Sequence, residues 1–250
     1  MSGPRRRALR SHTLKTKTLI SITFSLVVVV LMCTLLTFPR AFASTIVGDD
    51  FNDNSINTST WANSLFTSAT DTNVSIAETS QQLEIGPLLQ NVNGPSYRGL
   101  STVNTYSFDD SSAYVELVQA PASNTDAEAV FTAGSDFNNQ YRMYVSGGNL
   151  IGLIRRSAGR GAVEDTLFTV TYNSTNHRFL RIRNDSGNLY METAPGSGGT
   201  PGTWTQQYTE TWNSLVVTSA IIFEVKAGTT QVEANAPGTV IFDNFLATTP

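Results

Sequence analysis

Residues that could bind a sugar or form ion pairs alternate with apolar residues along the segment His177–Gly196, HRFLRIRNDSGNLYMETAPG. Side chains of a β-strand point alternately to opposite faces of its sheet. The spacing therefore predicts a hairpin with one buried face and one outer face. The buried set is Leu180, Ile182, Leu189 and Met191, and the outer set is Arg181, Arg183, Tyr190 and Glu192.

The outer set has the residue types of a sugar site, because aromatic faces stack on pyranose C–H groups and planar polar groups bind hydroxyls. The segments QYRMYVSG and GTWT add residues of the same types, and alternation makes Arg142 and Tyr144 candidates for the same outer face. We predict a ligand-binding set of Arg142, Tyr144, Arg181, Arg183, Tyr190, Glu192 and Trp204. The alternative is that the arginines form cross-strand ion pairs with Glu192, worth about 0.2–1 kcal/mol each, and that Trp204 is a packing residue.

Other chemistries have little support in the sequence after residue 43. This region has one histidine, His177, and no cysteine, which excludes thiolate and histidine-rich metal sites. It also lacks the G-x-S-x-G turn of a serine nucleophile. Asp126 and Glu128 share a strand face, but two carboxylates so placed are more typical of a solvated surface than of a catalytic pair.

The elements that must position these residues are strands. Residues 44–250 show no helical periodicity, and short segments rich in Val, Ile, Thr, Tyr and Phe recur between turn signals at intervals of about 8–12 residues. Gly147-Gly148-Asn149 and Asn184–Asn188 are typical hairpin tips. We predict one all-β domain over residues 44–250, a two-sheet antiparallel β-sandwich.

Residues 1–43 resemble an export signal. Seven of the 16 basic residues lie there, followed by an uncharged apolar run, Leu19–Phe38, and the small residues Ala41 and Ala43. This order predicts a secretory signal peptide cleaved after Ala43, and hence a secreted or surface-displayed domain. The alternative is an uncleaved membrane anchor, since 20 uncharged residues can span a bilayer.

The charge of the predicted domain restricts its partners. Residues 44–250 hold nine basic residues and all 20 acidic ones, for a formal charge of −11. This charge argues against nucleic acids and anionic membrane surfaces as partners. Membrane contact is then expected only through residues 19–38, if they are retained.

Three motifs together resemble the concanavalin A-like jelly rolls, which include lectins, laminarinase-type glucanases and laminin-G-like modules. They are VGDDFNDNSINTSTW at 47–61, the segment from His177 to Thr205, and GTVIFDNF at 238–245. The resemblance spans nearly all of residues 44–250 and implies a jelly roll with a polysaccharide or glycan as partner. It also implies a core position for Trp61, adjacent first and last strands, and a structural Ca²⁺ held by Asp243 with main-chain carbonyls.

The glucanases of this superfamily resemble one another in a Glu-x-Asp-x-x-Glu strand, whose carboxylates flank the sugar bond about 5–5.5 Å apart. No segment here matches that pattern; AYVELVQA, for example, has Glu116 alone. We therefore favour a non-catalytic, lectin-like carbohydrate-binding domain. The alternatives are an extracellular structural or adhesive domain with a protein or cell-wall partner, and a glycoside hydrolase with an unrecognised site.

Overall fold

The computed structural model describes residues 44–66 and 70–249. The predicted signal or anchor, with the apolar run at 19–38, lies outside the described residues. Within the described ranges, no helix is long and apolar enough to cross a membrane.

The domain is built from strands, as the alternating segments predict. In chain order they are β1 Thr45–Asp49, β2 Trp61–Asn63, β3 Ile76–Thr79, β4 Gln82–Ile85, β5 Ser96–Thr102, β6 Ser112–Gln119, β7 Glu128–Asp136, β8 Asn139–Ser146, β9 Asn149–Ala158, β10 Gly161–Thr171, β11 Phe179–Asp185, β12 Asn188–Ala194, β13 Gly196–Ser197, β14 Thr200–Pro201, β15 Thr205–Thr211, β16 Ile222–Thr229 and β17 Val240–Thr248. A short 3₁₀ turn, Thr218–Ala220, precedes β16.

Two antiparallel sheets form the sandwich. The eight-stranded sheet has the order β15-β12-β11-β6-β17-β4-β3, with β1 also paired to β17. The seven-stranded sheet has the order β10-β9-β8-β7-β16-β5-β2. The pairing of β1 with β17 confirms that the first and last described strands lie side by side.

The core lies between the sheets and is rich in aromatic rings. Trp61 is 2% exposed, which confirms its predicted core position, and its ring lies 5.1 Å from that of Phe245. The row continues through Phe223 and Phe108 to Trp212, with neighbouring ring centroids 5.4–5.9 Å apart. Asp49 accepts a hydrogen bond from Trp61 Nε1 at 2.8 Å, so the indole's polar atom is satisfied at the edge of the core.

Both predicted hairpins form with the expected tips. The β8–β9 turn uses Gly147 and Gly148, and the β11–β12 turn uses Ser186 and Gly187, all four with φ between 52° and 75°. Two successive residues with positive φ give the turn whose twist matches that of the flanking strands. The turns thereby fix the register of the two hairpins that carry the predicted outer residues.

Candidate functional site on the outer faces of the two sheets

The β11–β12 hairpin has the two faces that its alternation predicts. Leu180, Ile182, Leu189 and Met191 are all fully buried in the core. Across the strand pair, Arg181 faces Glu192 and Arg183 faces Tyr190. These four residues share the opposite side of the hairpin, which we call the hairpin face.

Polar groups of the hairpin face bind mainly to one another. Glu192 accepts hydrogen bonds from Arg181 Nε at 2.7 Å and from Arg183 Nε at 3.1 Å. The Arg181 guanidinium lies 4.0 Å from the ring centroid of Trp204, and that of Arg183 lies 4.0 Å from that of Tyr190. Burial alone would raise the pKa of Glu192, but the hydrogen bonds from both arginines outweigh it and the pKa falls below its usual range. The geometry matches the cross-strand ion pairs that the sequence left open as the alternative.

Arg142 and Tyr144 do not lie on the hairpin face, so the prediction of one shared outer face is wrong for them. Both belong to β8, in the middle of the seven-stranded sheet, whereas β11 and β12 belong to the other sheet. Their neighbours Tyr141, Met143 and Val145 are buried, so Arg142 and Tyr144 point outward from the second sheet. Alternation fixes the face of a residue within its own sheet and says nothing about which sheet its strand joins.

The outer face of the seven-stranded sheet contains a cavity of about 260 Å³, which we call the charged pocket. Its walls combine aromatic rings with acidic and basic side chains, contributed by six strands (β5, β7, β8, β9, β10 and β16) and the adjoining loops. They are Phe66, Pro95, Tyr97, Glu128, Phe137, Arg142, Arg155, Glu164, Lys226 and Thr230. The volume is just below the roughly 300–1,000 Å³ typical of ligand pockets, so a small unit such as one sugar residue suits it.

A buried ion pair attaches the segment Ser64–Phe66 to this face. Lys226 Nζ lies 2.8 Å from Glu224 Oε1 and donates to the carbonyl of Phe66 at 2.7 Å. Glu224 Oε2 accepts from the Ser64 hydroxyl at 2.6 Å and from the Phe66 amide at 2.9 Å. Burial lowers the pKa of Lys226, and the charge of Glu224 opposes that shift. Two charges taken out of water are stable only with such partners, and the result here is a fixed wall for the pocket.

Glu128 presents a carboxylate to the pocket. Tyr97 donates its hydroxyl to Glu128 Oε2 at 2.6 Å, and Oε1 accepts no hydrogen bond from the described residues. Burial raises the pKa of Glu128, and the hydrogen bond from Tyr97 together with the charge of Arg142 opposes that rise. One oxygen of Glu128 thus remains available to a donor on a ligand.

Arg142 and Arg155 hold Glu164 between them on the other side of the pocket. Glu164 Oε1 lies 3.2 Å from Arg142 Nη2 and 2.8 Å from Arg155 Nη1. The Arg155 guanidinium also lies 4.4 Å from the ring centroid of Phe137. The pocket therefore offers planar charged groups beside an aromatic ring.

Sequence reasoning missed most of the pocket. It considered Glu128 only as one half of a carboxylate pair with Asp126. Asp126 lies before β7, however, and its carboxylate accepts a hydrogen bond from the side-chain amide of Gln231. A local signal was present in IIFEVKAG, where Glu224 and Lys226 stand two apart in an otherwise apolar strand. Such spacing places two opposite charges on one face and indicates a buried pair.

Asp243 lies in a group of acidic residues on the outer side of β17. Its Oδ1 accepts a hydrogen bond from the Asn244 backbone amide at 2.8 Å, and Glu116 lies opposite it on the paired strand β6. Burial, with the charges of Glu116 and Asp50, raises the pKa of Asp243 to about 6, although the Asn244 amide and Gln82 oppose the rise. No described lysine or arginine pairs with Asp243, so its surroundings suit a cation. No three His, Cys, Asp or Glu side chains within 44–66 and 70–249 converge as a metal cluster, so carbonyls and water would supply the other ligands.

Comparison with known proteins places the fold. No family model matches the chain, and no curated protein matches it in sequence. Similar solved structures include β-agarase A from Zobellia galactanivorans, with a TM-score of 0.60 and 11% identity over 86% of this chain and 96% of that one. The CBM2 module of the evolved Dit of Lactobacillus casei BL23 phage J-1 has a TM-score of 0.60 and 8% identity over 82% and 95%.

A third similar structure is an immunostimulatory antigen and pseudo β-1,3-glucanase of Mycobacterium tuberculosis. It has a TM-score of 0.57 and 8% identity over 82% of this chain and 99% of that one. Together with the two antiparallel sheets, these similarities show that the described residues, 44–66 and 70–249, adopt the concanavalin A-like jelly-roll fold.

Proposed function

We propose that this chain is a non-catalytic, lectin-like carbohydrate-binding domain that acts outside the cytoplasm and holds its glycan at the charged pocket. The observation that carries the proposal is the convergence of Glu128, Arg142 and Phe137 on one cavity of about 260 Å³. Sugars need both hydrogen-bonding groups in fixed positions and an apolar surface for their C–H groups.

The division of roles within the pocket follows from its contacts. Glu128 Oε1 would accept a hydrogen bond from a sugar hydroxyl, since the other carboxylate oxygen, Oε2, already accepts one from Tyr97. Arg142 and Arg155 are held in place by Glu164, so their remaining N–H groups would donate to a second hydroxyl. Phe137, half-buried at the rim, would stack on the ring. Two of the similar structures, an agarase and a CBM2 module, agree with this class of ligand.

The experiment is a glycan array probed with the purified protein and with Glu128→Gln. We expect retention of at least one glycan by the wild-type protein and loss of that signal in the variant. Asp165→Asn is the matched control, because Asp165 pairs with the exposed Arg156 on the same sheet, away from the pocket lining. An array with no bound glycan would favour the structural or adhesive alternative.

A glycoside hydrolase is the second candidate, because one observation favours it. Glu128 and Glu164 both line the pocket, and burial raises the pKa of Glu128. Such enzymes need a pair of carboxylates that flank the glycosidic bond. Glu164, however, is neutralised by two arginines, which weakens it as a nucleophile. Incubation of the bound glycan with the protein, followed by measurement of new reducing ends, separates the two candidates.

A structural Ca²⁺ at Asp243 is the second part of the proposal. Ca²⁺ takes six to eight oxygen ligands at about 2.3–2.6 Å, and Asp243 would supply a carboxylate oxygen while carbonyls near the domain's start supply others. The pairing of β1 with β17 brings that part of the chain beside β17. We expect calcium to raise the melting temperature relative to a chelator, and Asp243→Ala to remove that difference. An equal response in the variant would contradict the site.

A further inference from the structure

The outer face of the seven-stranded sheet is covered along one row of side chains that crosses it from β5 to β9. Residues directly opposite each other on antiparallel strands share one face, and Arg142 points outward, so its whole row does. This covered row consists of Ser101, Glu224, Thr132, Arg142 and Leu153. The first three are fully buried and Leu153 is 5% exposed, although they face away from the core. A glycan chain that crosses the sheet along this row would have to displace what covers it.

The segment Ser64–Phe66 covers the row at β5 and β16. The hydroxyl oxygen of Ser101 accepts a hydrogen bond from the Leu65 amide at 2.8 Å. Glu224 accepts hydrogen bonds from the two residues that flank Leu65, so the segment lies directly over the sheet. Phe66 is also buried and lines the charged pocket, and the segment therefore forms the wall of the pocket on this side.

An ion pair covers the other end of the row, at β9. Arg142 on β8 and Glu164 on β10 belong to the strands on either side of β9, yet their side chains are 3.2 Å apart. The pair therefore passes over the outer face of β9, which accounts for the burial of Leu153, the residue opposite Arg142. Arg155 holds Glu164 there from β9 itself, at 2.8 Å. These charged side chains form the second wall of the pocket.

The remaining two walls lie at the ends of the strands. Phe137, in the turn between β7 and β8, lines the pocket at one end. Pro95 and Thr230 line it at the other end, where β5 begins and β16 ends. The pocket of about 260 Å³ is thus bounded on four sides, and its opening faces away from the sheet.

We propose that the charged pocket binds the terminal unit of a glycan chain rather than a unit within the chain. The inference rests on the proposed function, since it specifies the ligand of the same pocket. A unit within a chain is bonded to neighbours at two positions, so its site must be open on two sides. A terminal unit is bonded at one position and can enter a pocket that has a single opening. The volume agrees, because about 260 Å³ is below the roughly 300–1,000 Å³ of sites for larger ligands.

The test is calorimetric titration of the purified protein with one array-positive glycan at several chain lengths. The probes are the methyl glycoside of its terminal unit and oligosaccharides of increasing length that end in that unit. We expect their dissociation constants to agree within about threefold, since a tenfold gain would require about 1.4 kcal/mol of contacts beyond the first unit. A matched probe with one further sugar on the terminal unit should bind about tenfold more weakly, or not at all.

Two variants show where the probes bind. Glu128→Gln should weaken every probe that binds, whereas Asp165→Asn, away from the pocket lining, should weaken none. Affinity that rises with chain length, or unchanged binding of the extended probe, would overturn the inference and leave the proposed function in place. An array without a bound glycan, or a Glu128→Gln protein that binds as the wild type does, would remove both.

Discussion

Burial decides how much each ion pair of this domain contributes to stability. Glu192 is 6% exposed and forms ion pairs with two arginines, whereas both members of the Asp165–Arg156 pair are well exposed. Removing one partner of a buried pair leaves an uncompensated charge, while exposed pairs contribute little.

We expect Glu192→Ala to lower the free energy of unfolding by about 2–4 kcal/mol, because two half-buried arginines would lose their acceptor. Asp165→Ala, the control, should cost no more than about 1 kcal/mol. Urea denaturation of both variants measures the difference. Equal losses would show that the hairpin face contributes no more to stability than an exposed pair.

Asp243 should make stability depend on pH when calcium is absent. Its pKa in the folded state is about 6, above the ordinary value of 3.8, so between these values the native state binds more protons than the unfolded state. The unfolding free energy should then fall as pH rises from about 4 to 6, by about 1–2 kcal/mol after allowance for solvent screening.

Urea denaturation at several pH values in a chelator measures this slope. Asp243→Asn keeps the oxygen that accepts from the Asn244 amide but cannot titrate. It should therefore flatten the profile between pH 4 and 6. A variant with the wild-type slope would mean that another group carries the pH dependence.

At the scale of elements, the turn at Ser186-Gly187 sets the register of the hairpin face. Gly187 has φ of 75°, where a Cβ is unfavourable, although no neighbouring atom lies within 4 Å of one built there. We expect Gly187→Ala to destabilise the domain by about 1–2 kcal/mol through backbone conformation alone. Ser186→Asn should be neutral or slightly stabilising, since asparagine tolerates positive φ. Thermal unfolding of both variants tests this, and an unaffected Gly187→Ala protein would contradict it.

Sequence patterns predicted elements and faces well where the cause is local. Alternation in HRFLRIRN and NLYMETA identified the buried and outer residues of β11 and β12, because the core removes every second side chain from water. The same reasoning placed Arg142 and Tyr144 on an outer face correctly but on the wrong sheet. Strand order depends on how distant strands pair, and β8 lies between β7 and β9.

At the scale of the whole molecule, the charged pocket could not be derived from the sequence. Its walls come from residues far apart in the chain, including Tyr97, Glu128, Glu164 and Lys226. Only the completed seven-stranded sheet, with the segment Ser64–Phe66 attached by Glu224, brings them together. The adjacency of the first and last strands, by contrast, followed from resemblance to a known fold and is confirmed.

The sequence of residues 1–43 predicts where the whole molecule acts, because it resembles an export signal. We expect the exported protein to begin at Ser44, because Ala41 and Ala43 fit a signal-peptidase site. Intact-mass measurement of protein recovered outside the cytoplasm tests this. An intact N-terminus in the membrane fraction would instead support the anchor, with the domain still displayed outside.

The central claim is that the charged pocket holds a glycan. The most direct test takes a glycan that binds on the array and measures its dissociation constant for two variants, one at the charged pocket and one beside the hairpin face. Glu128→Gln should weaken binding about 10–100-fold, the effect of losing a hydrogen bond to a charged group. Trp204→Ala, in the loop before β15 and beside the hairpin face, should bind as the wild type does. The reverse result, with binding lost in Trp204→Ala and kept in Glu128→Gln, would contradict the claim and move the site to the hairpin face.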